Sequence, residues 1–281
     1  MFRGFLLFFS LLSLSSAQAQ IHEFGLWGGI ANYFGDLNTQ GSFVGARPGA
    51  GVYYRMNWGS RFAWRSSLNY GWLEFADNMT NIPQHRQRNL SFQTQLYDIT
   101  TQVEFNFFKY DKTNKKKWWT PYLGVGFSVF FFNPRARYQG EWVYLQPLGT
   151  EGQTDPSYSG VKKYRLFSFA IPIVGGFKFS VSPDWNIGIE AGFRKTFTDY
   201  LDDVSGQYPS YASLPGGSTG LAARLSDRSG EVNNGKNSGK PAYQRGYSPQ
   251  TDDYLMLGIS VSYTIMKLKC PSPSRGKRWI D

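Results

Sequence analysis

The sequence is poor in the residue types on which most enzymes and disulfide-stabilised proteins depend. It contains one cysteine and two histidines in 281 residues. A single cysteine excludes an internal disulfide, and two histidines leave little material for a metal centre or an imidazole base. No phosphate-binding glycine loop, zinc-type spacing or dinucleotide-binding motif occurs. We therefore expect a protein that is not an enzyme and that carries no cofactor and no metal.

Long apolar runs are also lacking beyond the N-terminus. The basic Arg3, the apolar residues 5–12 and the small-residue site Ala-Gln-Ala at 17–19 are typical of a secretory signal peptide, which we assign to residues 1–19. No later stretch reaches the roughly 18 to 20 apolar residues that a transmembrane helix needs. A helical membrane protein is thereby excluded.

Aromatic residues and glycine, in contrast, are abundant. The chain has 9 Trp, 18 Tyr, 23 Phe and 31 Gly. A soluble domain of this size would place more aliphatic residues in its core. Transmembrane β-barrels show the observed profile, because one strand face meets lipid, the other meets a polar lumen, and aromatic belts mark both interfaces.

Hydrophobicity alternates with a period of two along several segments. In residues 254–267 Leu257, Ile259 and Val261 share one face, while Ser260 and Ser262 share the other. We predict an all-β fold, a transmembrane antiparallel up-and-down β-barrel of eight strands within residues 20–266. The predicted strands are 24–33, 49–56, 62–72, 96–107, 123–131, 169–179, 186–194 and 254–267.

The connections between these strands alternate in length. Short ones occur at 57–61, 109–118 and 181–185, and longer ones at 36–46, 77–89, 133–167 and 205–251. Short periplasmic turns and long extracellular loops are typical of outer-membrane barrels, and an even strand number places both termini in the periplasm. The longest loop is rich in Gly, Ser, Asn and Pro, so we expect it to be mobile or to be ordered by a partner.

Charged residues occupy the polar register of several predicted strands. An eight-stranded barrel has room inside for side chains and little else. We therefore interpret these residues as a charge-paired plug of the lumen, with proton or ion conduction as the alternative. The predicted lumen residues are Arg55, Arg65, Asp98, Glu104, Glu190 and Arg194.

Few residues are candidates for catalysis. His22 lies at the start of the first strand, and His85 lies in a loop with Ser91 nearby in sequence. Nothing indicates the aligned Ser-His-carboxylate arrangement that a hydrolase or acyltransferase needs.

The densest acidic cluster follows the seventh predicted strand. Asp199, Asp202 and Asp203 could ligate Ca²⁺ through their carboxylate oxygens. They lack the glycine-centred spacing of a calcium loop, so we favour a structural cap on the extracellular end of that strand.

The formal net charge of +10 is concentrated near two predicted periplasmic segments, 109–117 and the basic tail 267–281. Because a secreted barrel does not meet nucleic acid, we expect either a docking surface for acidic proteins or outer-membrane lipid headgroups, or a basic surface that is simply solvated. The tail continues beyond the last strand, which is a reason to expect a periplasmic partner, and Cys270 is a free thiol, an intermolecular disulfide or a small packing residue. The predicted partner-binding residues are Lys115, Lys116, Lys117, Lys267, Lys269, Cys270, Arg275, Lys277 and Arg278.

Specific segments resemble a known family. They are Phe-Gly-Leu-Trp-Gly-Gly at 24–29, Asn-Tyr-Phe-Gly-Asp-Leu at 32–37, Arg-Lys-Thr-Phe-Thr-Asp-Tyr-Leu-Asp-Asp-Val-Ser at 194–205, and the strand with its tail at 263–271. Together they resemble the PorG-like outer-membrane barrels of Bacteroidota. The resemblance implies a component of the type IX secretion system, associated with gliding motility in some relatives. In that family the barrel holds a periplasmic ring, built from a lipoprotein and its partner, against the outer membrane.

Two functions therefore remain. The first is an anchor of secretion machinery that docks through the basic turn and the tail. The second is a stand-alone barrel that acts as a passive porin or a surface adhesin through its loops. The third and fourth loops are longer than the resemblance leads us to expect, which also leaves room for a paralogue with another role.

Overall fold

A computed structural model describes residues 21–112, 116–154 and 162–266. The predicted signal peptide 1–19, the tail 267–281 and Lys115 lie outside the described residues. Of the predicted partner-binding residues, Lys116 and Lys117 are therefore the two whose surroundings the structure gives.

The described residues form ten β-strands and two short α-helices. None of the helices in this part of the chain is long and apolar enough to cross a membrane. The strands are β1 (Ile21–Phe34), β2 (Arg47–Trp58), β3 (Phe62–Ala76), β4 (Ser91–Asn106), β5 (Trp119–Phe131), β6 (Arg135–Tyr138), β7 (Glu141–Tyr144), β8 (Phe167–Ser180), β9 (Trp185–Thr196) and β10 (Asp253–Met266), and the helices are α1 (Pro83–Arg88) and α2 (Leu221–Ser226).

Eight of the strands close into an antiparallel barrel. Their order is β1-β2-β3-β4-β5-β8-β9-β10, and pairing of β1 with β10 completes the ring. Closure gives every barrel strand a hydrogen-bonding neighbour on both sides, and such closed pairing is the condition for crossing a bilayer with strands. The predicted fold class and strand number are confirmed.

The two faces of the barrel differ as the alternation predicts. Leu257, Ile259 and Val261 of β10 are exposed on the outer wall, while Ser260 and Ser262 are buried inside. Outward aromatic residues gather near both ends of the strands. Near the short turns Phe62 packs against Phe105 and Trp185 against Tyr263, and near the long loops Tyr70 packs against Tyr97, with ring centroids 5.1–5.2 Å apart in all three pairs.

Strands β3 and β4 extend further toward the long loops than the sequence predicts. β3 ends at Ala76 and not at residue 72, and β4 begins at Ser91 and not at residue 96. In these extensions Thr94 is the polar exception among the inward residues, and the apolar Leu73, Phe75 and Phe92 pack into a buried cluster that fills the loop end of the barrel. The loop between β5 and β8 also contains an unpredicted hairpin, β6–β7, which joins β4 through the pair Gln93 and Arg135.

Close approach of β5 to β4 makes a glycine necessary at position 126. A Cβ at Gly126 would collide with the carbonyl oxygen of Thr101 on β4, whereas a Cβ at Gly28 on the outer wall would meet nothing within 4 Å. We predict that Gly126→Ala lowers the free energy of unfolding by about 1–3 kcal/mol, as overpacking does.

Urea unfolding in detergent, followed by tryptophan fluorescence, measures this loss. The matched control Gly28→Ala should stay within about 0.5 kcal/mol of wild type. Equal stability of the two variants would contradict the close approach.

Candidate functional site: the sealed lumen

Glu104 lies at the centre of the barrel interior and is completely buried. Its carboxylate meets cations from three other strands. Oε2 is 2.9 Å from Nε of Arg55 and 2.6 Å from Nζ of Lys178, and Oε1 is 3.7 Å from Nη1 of Arg65. A buried carboxylate is stable only when it is paired and hydrogen-bonded, and here β2, β3 and β8 supply the pairing.

Two further carboxylates share the same cations. Arg65 donates two hydrogen bonds to Glu190, at 2.6 and 2.9 Å, and Arg55 lies 3.2 Å from Glu23. The Tyr122 hydroxyl also donates to Glu190 at 2.9 Å. The guanidinium of Arg65 is stacked 4.0 Å above the ring centre of Tyr53, so one of its faces and its edge are constrained.

A second polar layer lies nearer the loops. Asp98 accepts hydrogen bonds from the Tyr254 hydroxyl at 2.6 Å and from Asn69 at 3.0 Å, and forms an ion pair with Arg194 at 3.6 Å. Asn69 in turn accepts a hydrogen bond from the Trp27 indole at 2.7 Å. The layer ties β1, β3, β4, β9 and β10 together from within.

The structure brings all six predicted lumen residues inside the barrel. Sequence reasoning missed Glu23 and Lys178, although both lie in the inward register of β1 and β8 and the alternation rule would have found them. With these two, four lumen carboxylates face four strand-borne cations in the described barrel. The lumen is therefore balanced in charge by its own strands.

Little space remains between these side chains. The cavity beside Trp27, Arg65 and Glu190 has a volume of about 10 Å³. That is about the smallest void that holds one water molecule. A cavity of this size gives a solute no passage between these side chains.

The turn between β4 and β5 closes the short-turn end of the barrel. Tyr110 is buried, and its hydroxyl donates to Asn186 of β9 at 2.8 Å. Lys112 extends from the turn into the barrel interior, where its ammonium lies 2.7 Å from Oε1 of Glu23 on β1 and 2.7 Å from Oγ1 of Thr264 on β10. Lys112 was expected to be part of a basic docking surface, but it belongs to the interior network; Lys116 and Lys117 are exposed.

The acidic cluster after β9 seals the loop end. Asp202 accepts a hydrogen bond from Tyr33 of β1 at 2.5 Å, and Asp203 accepts one from Tyr164 at 2.6 Å. Tyr33 also donates to Asp252, at 2.9 Å. Among the described residues, no group of three side chains has metal-binding geometry.

The longest loop is ordered by the neighbouring loops. Arg245 forms a buried ion pair with Glu151 at 2.9 Å, and its carbonyl accepts a hydrogen bond from Arg88 at 2.7 Å. Leu225 of α2 packs against the buried Ala136 of β6. The expectation that this loop is mobile or ordered by another protein is therefore wrong, because both polar and apolar side chains of the loop contact other loops of the same chain.

The two histidines lie apart from the candidate nucleophile. Nδ1 of His22 is 2.5 Å from the Tyr54 hydroxyl. Ser91 accepts a hydrogen bond from Arg228 at 2.9 Å, and His85 lies on α1 with Nδ1 making no hydrogen bond to a described residue. Within the described chain neither histidine contacts a serine hydroxyl, so the geometry of a Ser-His pair is not formed.

Comparison with known proteins gives a family and a set of distant structures. The profile of a family described as a domain of unknown function (DUF6089) matches residues 2–220. No curated protein matches the chain significantly.

Three solved structures illustrate the distant similarity. Ail, the attachment invasion locus protein of Yersinia pestis, has 8% identity and a TM-score of 0.41, covering 88% of this chain and 99% of its own. Neisserial surface protein A has 9% identity and a TM-score of 0.38, with coverages of 88% and 97%. OprG of Pseudomonas aeruginosa has 6% identity and a TM-score of 0.37, with coverages of 89% and 95%. Similarities at this level carry no argument about activity, and the fold assignment rests on the strand pairing of this chain.

Neutralising the central carboxylate should destabilise the barrel strongly. Glu104→Gln leaves Arg55, Arg65 and Lys178 buried with one anion fewer, which costs about 3–5 kcal/mol. Urea unfolding in detergent measures the loss. As a control, Glu74→Gln removes the partly exposed ion pair with Arg47 and should cost no more than about 1 kcal/mol. Similar costs for the two variants would show that the interior network does not stabilise the barrel.

The loop end should become less stable as pH rises. Burial, reinforced by the negative charges of Asp36 and Glu151, raises the pKa of Asp199 to about 8. The unfolded chain loses this proton near pH 4 and the folded loop keeps it to about pH 8, so the contribution of Asp199 to stability falls across that window. Asp199→Asn cannot ionise, and we predict that its loops resist proteolysis better than wild type at pH 8 and equally well at pH 4.

Limited proteolysis of the variant and wild type, compared at each pH, tests this. Glu231→Gln, which alters an exposed pair with Arg228 on the same loop, is the control and should behave alike at both pH values. If the ratio of cleavage rates for Asp199→Asn and wild type is the same at pH 4 and pH 8, the titration of Asp199 does not control the loops.

Proposed function

The chain belongs to the DUF6089 family, and we propose that it is a non-enzymatic outer-membrane barrel that anchors a periplasmic protein assembly. The observation that carries the proposal is the filled lumen. Side chains pair across the whole interior, the turn carrying Tyr110 and Lys112 closes one end, and the loops close the other. A barrel with no passage through its lumen is suited to serve as a fixed attachment point in the membrane and not as a pore.

Placement in the outer membrane has support from the outer wall. The exposed face carries aliphatic residues along each strand and aromatic residues near both ends, as the lipid face of such barrels does. A signal peptide at residues 1–19 provides the route of export. The proposed orientation places the long loops outside the cell and both termini in the periplasm, following the usual distribution of short turns and long loops.

The proposed docking surface is basic and periplasmic. Lys116 and Lys117 are exposed on the turn that closes the barrel. Lys115 and the tail residues Lys267, Lys269, Cys270, Arg275, Lys277 and Arg278, which lie outside the described residues, are proposed to extend it. The resemblance to PorG-like barrels gives the partner as the periplasmic ring of the type IX secretion system, built from a lipoprotein and its partner, with Cys270 as a candidate for a disulfide to it.

A surface adhesin is the second candidate. It is favoured by the ordered loops, in which Arg88, Glu151 and Arg245 join three of the four long loops through buried contacts. A rigid loop surface is suited to recognition because little entropy is lost on binding. The porin alternative finds no support in the filled interior.

Reversing charge on the turn should weaken assembly with the partner. We predict that Lys116→Glu/Lys117→Glu and deletion of residues 267–281 each leave the barrel folded but reduce co-purification of periplasmic proteins from detergent-solubilised outer membranes. Heat-modifiable gel mobility reports folding. Non-reducing electrophoresis of the same material, compared with Cys270→Ser, reports a disulfide.

The matched control reverses two exposed lysines at the opposite end of the barrel. Lys162→Glu/Lys163→Glu should retain the partner, since these residues precede β8 on the loop side. Full co-purification by both turn and tail variants would contradict the anchor and leave the adhesin as the better candidate.

The sealed lumen predicts a second, independent result. Purified protein in planar bilayers should give no stable single-channel conductance, because the lumen cavity beside Trp27, Arg65 and Glu190 has a volume of only about 10 Å³. Lipid bilayers that contain a general porin serve as the positive control. Steady conductance of porin size would show that the interior opens and that the anchor proposal lacks its main support.

A further inference from the structure

A groove lies on the outer wall where β5 leaves β4. The two strands pair as far as Tyr97 and Phe131. The chain then leaves β4, and Arg135 of β6 pairs with Gln93 of β4. The gap, beside Gln95, opens into a cavity of about 310 Å³ between the barrel wall and the β6–β7 hairpin. Its apolar lining consists of Tyr97, Phe131, Phe132, Tyr144 and Leu166.

The floor of the groove continues the outer wall of the barrel. Tyr97 and Phe131 are outward residues, 52% and 46% exposed, and they belong to the aromatic belt near the long loops. A groove of this kind opens to the hydrocarbon at the edge of the bilayer. An acyl chain fits its apolar lining.

One cation lines the groove. Arg135 lines it, with its guanidinium stacked 4.5 Å from the ring centre of Trp142 and donating to Gln93 at 2.7 Å. Those contacts use Nε and Nη2, and Nη1 donates to no described residue. The guanidinium is therefore held in place with one donor group to spare.

A second set of cations precedes Leu166 in the chain. Lys162, Lys163 and Arg165 are exposed, and none forms an ion pair with a described acidic residue. Elsewhere in the described chain, buried arginines are matched by carboxylates, as Arg245 is by Glu151. This segment is thus a local excess of positive charge beside an apolar groove.

We propose that the groove binds a phosphorylated, acylated lipid of the outer leaflet, with one acyl chain in the groove and its phosphate on Arg135 and the basic segment Lys162, Lys163 and Arg165. Charge complementarity selects this occupant over a neutral lipid, since basic residues beside membrane-facing pockets bind anionic headgroups. Arginine suits the phosphate because its planar guanidinium offers paired donors. The proposal rests on the outward orientation of the loops given under the proposed function.

The test uses the purified full-length protein in detergent, titrated with lipid A that carries both phosphates and followed by native mass spectrometry. Three further probes separate the contribution of the acyl chains from that of the phosphates. They are the same lipid without phosphates, its deacylated phosphorylated disaccharide, and inorganic phosphate. We expect lipid A to bind best, and each of the other three to bind at least about tenfold more weakly, since both the acyl chain and the phosphate are needed.

Two variants locate the site. Arg135→Gln and Lys163→Gln/Arg165→Gln should each weaken lipid A binding about tenfold, while the loop variant Lys236→Gln/Lys240→Gln, with the same loss of charge, should bind as wild type does. Heat-modifiable mobility confirms that all variants are folded. Equal losses in the control variant, or equal binding of the phosphate-free lipid, would overturn the proposal, and full competition by inorganic phosphate would replace it with a soluble-anion site.

Failure of this proposal and failure of the anchor are distinguishable. Lipid binding is measured on the purified barrel, whereas anchoring is measured by co-purification through the turn and tail. If the loops faced the periplasm, the basic groove would select phospholipids of the inner leaflet. Preference for phosphatidylglycerol over lipid A would therefore overturn both the lipid assignment and the orientation.

Discussion

The interior of the barrel depends on one buried carboxylate. Glu104 draws Arg55, Arg65 and Lys178 from three strands to a single point, and each arginine then carries a further acid, Glu23 or Glu190. Because these charged groups are buried, each is stable only while its partners stay in register. The strand register and the pairing of the charges therefore specify each other, and a slip of one residue would expose the whole set to lipid.

The two ends of the barrel interior differ in chemistry. Near the loops the inward residues become apolar, and Tyr33 connects that cluster to the carboxylates of Asp202 and Asp252. Near the turns the interior remains ionic up to Lys112. The two ends of the barrel interior are thus filled by side chains of different chemistry.

Alternation along the sequence was sufficient to predict the barrel, its eight strands and the inward position of Glu104 and Arg55. It could not predict which charges pair, because partners such as Lys178 come from distant strands whose register depends on the closed ring. The extensions of β3 and β4 were missed because Leu73 and Phe92 are apolar on an inward face, where a polar residue is the rule for such barrels. The order of the longest loop was missed because composition does not reveal a tertiary ion pair such as Arg245 with Glu151.

Lys112 also stabilises the closure of the barrel. β1 and β10 are the first and last strands, so their junction is the one that forms without a connecting hairpin. The ammonium of Lys112 contacts Glu23 on β1 and Thr264 on β10, and so bridges that junction from inside. Parting these strands sideways would leave an ammonium and a carboxylate facing hydrocarbon, at a cost of several kcal/mol for each. Lys112 therefore opposes lateral separation of β1 and β10 within the bilayer.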